Sequence, residues 1–138
     1  MSISQTIERV VATVDENATV LEATTLMAKK GIGSVVVTRN SAIAGLFTER
    51  DLMKKVVAEK KDPVGLKIKD VMPTDLIKVD SDETPEHCLQ LMEENQCRHL
   101  LVFDDDEFVG IISLRDLVSL MLKEREKMIA ELQGYISS

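Results

Sequence analysis

The stretch VATVDENATVLEATTLMAKKGIGSVVVTRNSAIAGLFTERDLMKKVV, residues 11–57, returns without a gap 65 positions later as LIKVDSDETPEHCLQLMEENQCRHLLVFDDDEFVGIISLRDLVSLML, residues 76–122. Val14 and Asp15 fall on Val79 and Asp80, Thr19 on Thr84, Leu26 and Met27 on Leu91 and Met92, and Val37 on Val102. Gly45 falls on Gly110, and Arg50-Asp51-Leu52 on Arg115-Asp116-Leu117. Most other apolar positions match in kind, as Ala23 does with Cys88. Self-similarity at a fixed period is the signature of a repeat architecture.

Each copy reads as the same run of elements. A short apolar strand, near residues 11–14 and again 76–79, leads into a helix whose start is marked by Thr19 with Glu22 three residues on, and by Thr84 followed by Pro85. Val20, Ala23 and Met27, like Pro85, Cys88 and Met92, stand at helical spacing and define one buried face, so methionine here is core material. Lys30-Gly31 ends the first helix. The β-branched run Ser34-Val35-Val36-Val37-Thr38 is a strand, a turn follows, and residues 43–47 form another. The second copy supplies residues 99–103, an acidic turn and residues 108–112. A last helix begins near Glu49 or Leu114.

The expected fold is therefore α/β, of the α+β kind: two β-α-β-β-α repeats packed with pseudo-twofold symmetry, plus a C-terminal helical extension. Residues 1–60 form the first repeat, 61–122 a polar linker and the second, and 123–138 a helical tail. A unit of under ~60 residues buries too little of its surface to be comfortable alone, so the two must pack on each other. Any ligand site should then occur twice.

Composition narrows the function classes. The chain has 138 residues, 44% of them hydrophobic but only 3% aromatic, and a formal net charge of −7. Such a charge repels a polyphosphate backbone, so nucleic acid is not an expected partner. No stretch approaches the ~20 apolar residues of a spanning helix, and the first residues have neither a basic nor an apolar targeting region. A cytoplasmic protein is the expectation. Cys88 and Cys97 lack the spacing of zinc or redox pairs and are read as reduced, partly buried thiols. Asp104-Asp105-Asp106-Glu107 lacks the calcium-loop pattern and reads as a solvated turn.

The chemistry is carried by Gly45-Leu46-Phe47-Thr48-Glu49-Arg50-Asp51 and Gly110-Ile111-Ile112-Ser113-Leu114-Arg115-Asp116. Both place a hydroxyl where a strand ends and a helix begins, with an arginine and an aspartate in the first turn. Unpaired N–H groups and partial positive charge make a helix start a seat for phosphate. Thr48 or Ser113 can donate to a phosphate oxygen, Arg50 or Arg115 adds charge, and Asp51 or Asp116 offers two acceptors to the vicinal hydroxyls of a ribose. The glycine removes a side chain where a ligand would pass close to backbone. The same residues also spell a plain helix cap. A scaffold that uses them only so is the alternative.

On these residues the repeat resembles the cystathionine beta-synthase (CBS) domain, and the chain a stand-alone CBS-domain pair. Further matching segments are Ile32-Gly33-Ser34-Val35-Val36-Val37, Cys97-Arg98-His99-Leu100-Leu101-Val102 and Asp70-Val71-Met72-Pro73. The resemblance implies an adenine nucleotide in clefts between the repeats, AMP foremost, with ADP, ATP or NAD as further ligands and S-adenosylmethionine in some members. It implies no catalytic residue, no metal requirement and a regulatory role. It also implies a crossed arrangement: Ser113 and Asp116 act with Ala12, Ile32, Gly33 and Ser34, and Thr48 and Asp51 with Ile77, Cys97, Arg98 and His99. His87, in a helix first turn, reads as structural. The family pattern is departed from at Gln5-Thr6-Ile7, where the first copy lacks an Asp-Val-Met, and at Val36 and Leu101, where a proline is common.

Beyond the second repeat, Leu117, Met121, Met128, Leu132 and Tyr135 lie near helical spacing within a charged stretch, which extends the last helix with an apolar stripe. Expected partners are the nucleotide, a second copy in a homodimer, and an effector protein. An enzyme is not expected: no base paired with a nucleophile, no metal cluster and no P-loop is present.

Overall fold

A computed structural model describes residues 1–73 and 75–137. The last residue of the expected tail, Ser138, lies outside the described residues. The β-branched and aliphatic runs form six strands, β1 (Thr13–Asp15), β2 (Ser34–Arg39), β3 (Ala42–Thr48), β4 (Lys78–Asp80), β5 (His99–Asp104) and β6 (Glu107–Ser113). The helices are α1 (Val20–Lys30), α2 (Glu49–Asp51, continued by a π-helical turn over Leu52–Val57), α3 (Pro85–Asn95) and α4 (Leu114–Ser137). Mixed α/β architecture with two like repeats is therefore what the chain adopts.

Two three-stranded sheets result, ordered β1-β2-β3 and β4-β5-β6. In each, the helix crossover sets the first strand parallel to the central one, and a tight turn folds the third back antiparallel. A bulge recurs at the same place, between Val37 and Thr38 and between Val102 and Phe103. The central strands bury three successive apolar residues each, Val35-Val36-Val37 and Leu100-Leu101-Val102. This is why they read as continuous apolar runs and not as alternating ones.

The chain forms two compact units: Val10–Leu76, and Met1–Arg9 with Ile77–Ser138. In the first, Val20, Ala23 and Met27 of α1 pack with Val35, Val37 and Phe47. In the second, Cys88 and Met92 of α3 pack with Leu100, Val102, Ile112 and Leu117.

This partition differs from a boundary at residue 60 in two ways. The polar stretch after α2 belongs to the first unit: Val20 N–H donates to Leu66 O at 2.8 Å, Leu21 N–H to Pro63 O at 3.0 Å and Ile68 N–H to Ala18 O at 2.9 Å. The α1 start thus has two of its orphan N–H groups satisfied by a segment that sequence alone marks as a linker. Residues 1–9, in turn, belong with the second repeat. Ile3 is fully buried beside Val79 and Leu117, its N–H donates to Glu83 O at 3.0 Å, and Glu8 and Ile111 exchange backbone bonds of 2.8 and 3.0 Å. Ile68, 65 positions after Ile3, is likewise fully buried in the first unit. Gln5-Thr6-Ile7 therefore fills in the second unit the place that Asp70-Val71-Met72 fills in the first, despite its different residues.

Candidate functional site

Both strand-to-helix turns are built alike. Ser34 pairs in register with Thr48, and His99 with Ser113, so the start of each central strand lies against the end of the third. Gly33 O then accepts from Glu49 N–H at 2.9 Å, and Arg98 O accepts from Leu114 N–H at 2.8 Å. One orphan donor of each helix start is thereby taken by the chain itself.

Thr48 is extended and caps α2. Its Oγ1 accepts from Asp51 N–H at 3.2 Å, while Asp51 Oδ2 accepts from Thr48 N–H at 3.0 Å and from the Thr48 hydroxyl at 3.0 Å. In the second copy Ser113 Oγ accepts from Asp116 N–H at 3.1 Å, and Asp116 Oδ2 accepts from Ser113 N–H at 3.2 Å. These are reciprocal capping boxes with aspartate in the third position. They differ in one respect: among the described residues, the hydroxyl-to-carboxylate bond of Thr48 has no counterpart at Ser113.

The surroundings differ further. Lys55 Nζ stands 3.8 Å from Asp51 Oδ1. The Glu49 carboxylate lies against Gly33, its Oε1 3.1 Å from where a Cβ would be. The second copy has Leu114 at the Glu49 position and Arg98 at the Gly33 position. One helix start therefore carries two carboxylates and a lysine, the other one carboxylate and an arginine in the adjoining strand lead. Glu49 was not singled out by sequence, although its place directly after the cap is visible there.

The remaining predicted residues gather at the same end of each sheet, where the first two strands begin and the third ends. Ala12 O accepts from Val36 N–H at 2.9 Å, Ile32 N–H donates to Met27 O at 3.0 Å, and Ser34 is buried. In the second unit Ile77 O accepts from Leu101 N–H at 3.0 Å, Cys97 N–H donates to Met92 O at 3.0 Å, and His99 is half-buried. Arg50, Arg98 and Arg115 are exposed. Each unit thus brings together its own set.

Neither Gly45 nor Gly110 leaves the open space for a ligand that the sequence suggests. A Cβ on Gly45 would stand 2.8 Å from Met72 Sδ and 3.2 Å from Pro73 O. On Gly110 it would overlap the Glu8 carbonyl oxygen and stand 2.8 Å from Ile7 Cγ2. What passes close to the backbone there is the segment preceding the other repeat, and no ligand is needed to account for either glycine.

Burial pushes the Cys88 thiol up to about 11 and the Cys97 thiol upward as well, and both are free cysteines. Among the described residues no group of His, Cys, Asp and Glu has metal-site geometry, and no helix is long and apolar enough to cross a membrane. A depression of about 310 Å³ lies at the hairpin end of the second sheet, lined by Lys78, Asp80, Phe103, Asp105 and Asp106. Its three carboxylates disfavour phosphate, and it is at the opposite end of β5 from His99.

Duplicated α/β units, each with a capped strand-to-helix turn, define a tandem-repeat protein. The model of the CBS domain matches residues 3–58 and 68–123. The chain belongs to the CBS-domain family. It is 33% identical over 116 residues to the CBS domain-containing protein YhcV of Bacillus subtilis, covering 84% of this chain and 82% of that protein. Its fold matches a solved protein with CBS domains from Burkholderia ambifaria at a TM-score of 0.85 and 32% identity, over 89% of this chain and 95% of that one. It also matches the hexameric CBS-CP12 protein of bloom-forming cyanobacteria at a TM-score of 0.79 and 25% identity, over 86% of this chain and 66% of that one. Both matched segments keep the 65-residue period, so the repeat reaches back to Ile3.

Proposed function

We propose that the chain is a regulatory module that binds an adenine nucleotide, AMP foremost, at its two hydroxyl-to-aspartate helix starts and signals occupancy to an effector protein without catalysis. The observation that carries the reading is the double capping box, which fixes Thr48 with Asp51 and Ser113 with Asp116 at the same end of each sheet as the strand leads. At the second helix start the second oxygen of Asp116 can accept from ribose hydroxyls and the Ser113 hydroxyl can donate to phosphate, while the second oxygen of Asp51 faces Lys55 Nζ at 3.8 Å. Membership in a family commonly regulatory and nucleotide-binding supports it.

The proposal carries over the crossed pairing, with Ser113 and Asp116 acting with Ala12, Ile32, Gly33 and Ser34, and Thr48 and Asp51 with Ile77, Cys97, Arg98 and His99. No metal is required for it. A cytoplasmic setting and self-association belong to the same reading; a hexameric neighbour supports the latter. Isothermal titration of the folded protein with AMP, ADP, ATP and NAD tests it, and no heat with any of them overturns it. Nucleotide turnover abolished by Asp116→Ala would make the chain an enzyme instead.

The closed Thr48–Asp51 box also favours a second reading, a scaffold in which both motifs act as caps only. Asp51→Ala and Asp116→Ala would then lower stability with no ligand response to lose.

A further inference from the structure

Helix α4 runs well past the core it serves. Leu117 and Leu120 are buried in the second unit, but every residue from Arg125 to Ile136 is exposed. The family match stops at residue 123, so this segment is an addition to the repeat.

Its pattern is not that of a solvated helix. Val118, Met121, Leu122, Arg125, Met128, Ile129, Leu132, Tyr135 and Ile136 recur at the first, fourth and fifth places of a seven-residue period. Apolar residues at these places make the face by which a helix packs on a partner helix. Met128, Ile129 and Leu132 on it are 62%, 48% and 57% exposed. Arg125 is the one charge within the stripe.

Two features of charge select the occupant. Lys123, Arg125 and Lys127 balance Glu124, Glu126 and Glu131, so residues 123–137 are neutral in a chain of net charge −7. Two acidic copies approach each other with least repulsion through such a segment. In a parallel pair the seam arginines would meet each other. Run antiparallel, Arg125 of one copy lies beside Met128 of the other, flanked by Glu124 and Glu131 one heptad apart, and each buried arginine gains carboxylates.

We propose that the α4 extension is a self-association element, pairing antiparallel with the same segment of a second copy. A lipid surface is disfavoured, because the segment has no basic excess to draw it to anionic headgroups.

The test is sedimentation equilibrium of the full chain against its variants. All the substitutions fall on residues from Glu124 to Leu132, outside both cores, and circular dichroism checks that each variant folds. Ile129→Glu with Leu132→Glu should weaken self-association by at least about tenfold, and Arg125→Glu should weaken it as well. Glu124→Lys and Glu131→Lys added to Arg125→Glu should restore it, and Arg125→Leu should tighten it. An unchanged association constant in Ile129→Glu/Leu132→Glu, a full chain that stays monomeric, or binding of that segment to phosphatidylglycerol vesicles in place of self-association would overturn the proposal.

Discussion

At Gly110 the missing Cβ would collide with the Glu8 carbonyl oxygen, which is backbone and paired with Ile111. At Gly45 the nearest atom is the sulfur of Met72, the mobile part of an adaptable side chain. Equivalent in sequence, the two should respond differently. Gly110→Ala is expected to destabilise by about 1–3 kcal/mol and Gly45→Ala by less, measured by urea denaturation. The capping aspartates carry a double expectation. Asp51→Ala and Asp116→Ala should each lower stability by about 1 kcal/mol, and on the nucleotide reading should also abolish the thermal shift given by AMP. Glu83 is held below the usual carboxylate value of 4.5 by the Thr84 N–H and then by His87, whose Nδ1 is 2.8 Å away. A carboxyl depressed in the fold lends stability above its unfolded value, and that stability fades as the pH falls through its folded value. Glu83→Gln should therefore be less stable than the parent at neutral pH, the difference vanishing as the pH is lowered below 4.5, by urea titration at each pH. The hydroxyl, arginine and aspartate were legible from spacing because capping is local. The contacts of Gly45 and Gly110 were not, since they are made by residues far away in sequence.

Helix ends show how much of an element its own residues decide. Thr19 and Thr84 cap α1 and α3 through Glu22 N–H at 3.1 Å and His87 N–H at 3.2 Å, as their spacing announces. The other ends are alike in geometry but not in residue: Gly31 stops α1 at φ 63°, and Gln96 stops α3 at φ 51°. Left-handed backbone is easy for glycine and strained for a side chain. Gln96→Gly is therefore expected to stabilise the protein by about 1 kcal/mol, seen as a raised denaturation midpoint. Sequence offered no end signal there, because Gln96 is in that conformation only through its N–H bonds to Met92 O and Glu93 O. The strands were placed within two or three residues. The π-helical turn over Leu52–Val57 had no sequence signal, whereas the equivalent stretch of α4 runs on as regular helix.

Across the molecule the 65-residue period reveals the duplication but not how the chain is shared out. Periodicity reports likeness between segments and is silent on which copy each packs against, so the leader of each repeat was placed with its own repeat. The structure exchanges them, with Ile3 buried in the second unit and Ile68 in the first. Ile3→Ala should cost about 2–5 kcal/mol and speed amide hydrogen exchange in β4–β6 while sparing β1–β3; Ile68→Ala should do the reverse.

That exchange imposes an order on synthesis. Chains are made at roughly 5–20 residues per second, so Ile3 emerges several seconds before the strands and helix that receive it, while Val10–Leu76 can close as soon as it is out. A ribosome stalled soon after residue 76 has emerged should display a protease-resistant first repeat with its leader still clipped by trypsin at Arg9. Release of the finished chain should protect the Ile3 N–H, which donates to Glu83 O, from hydrogen exchange.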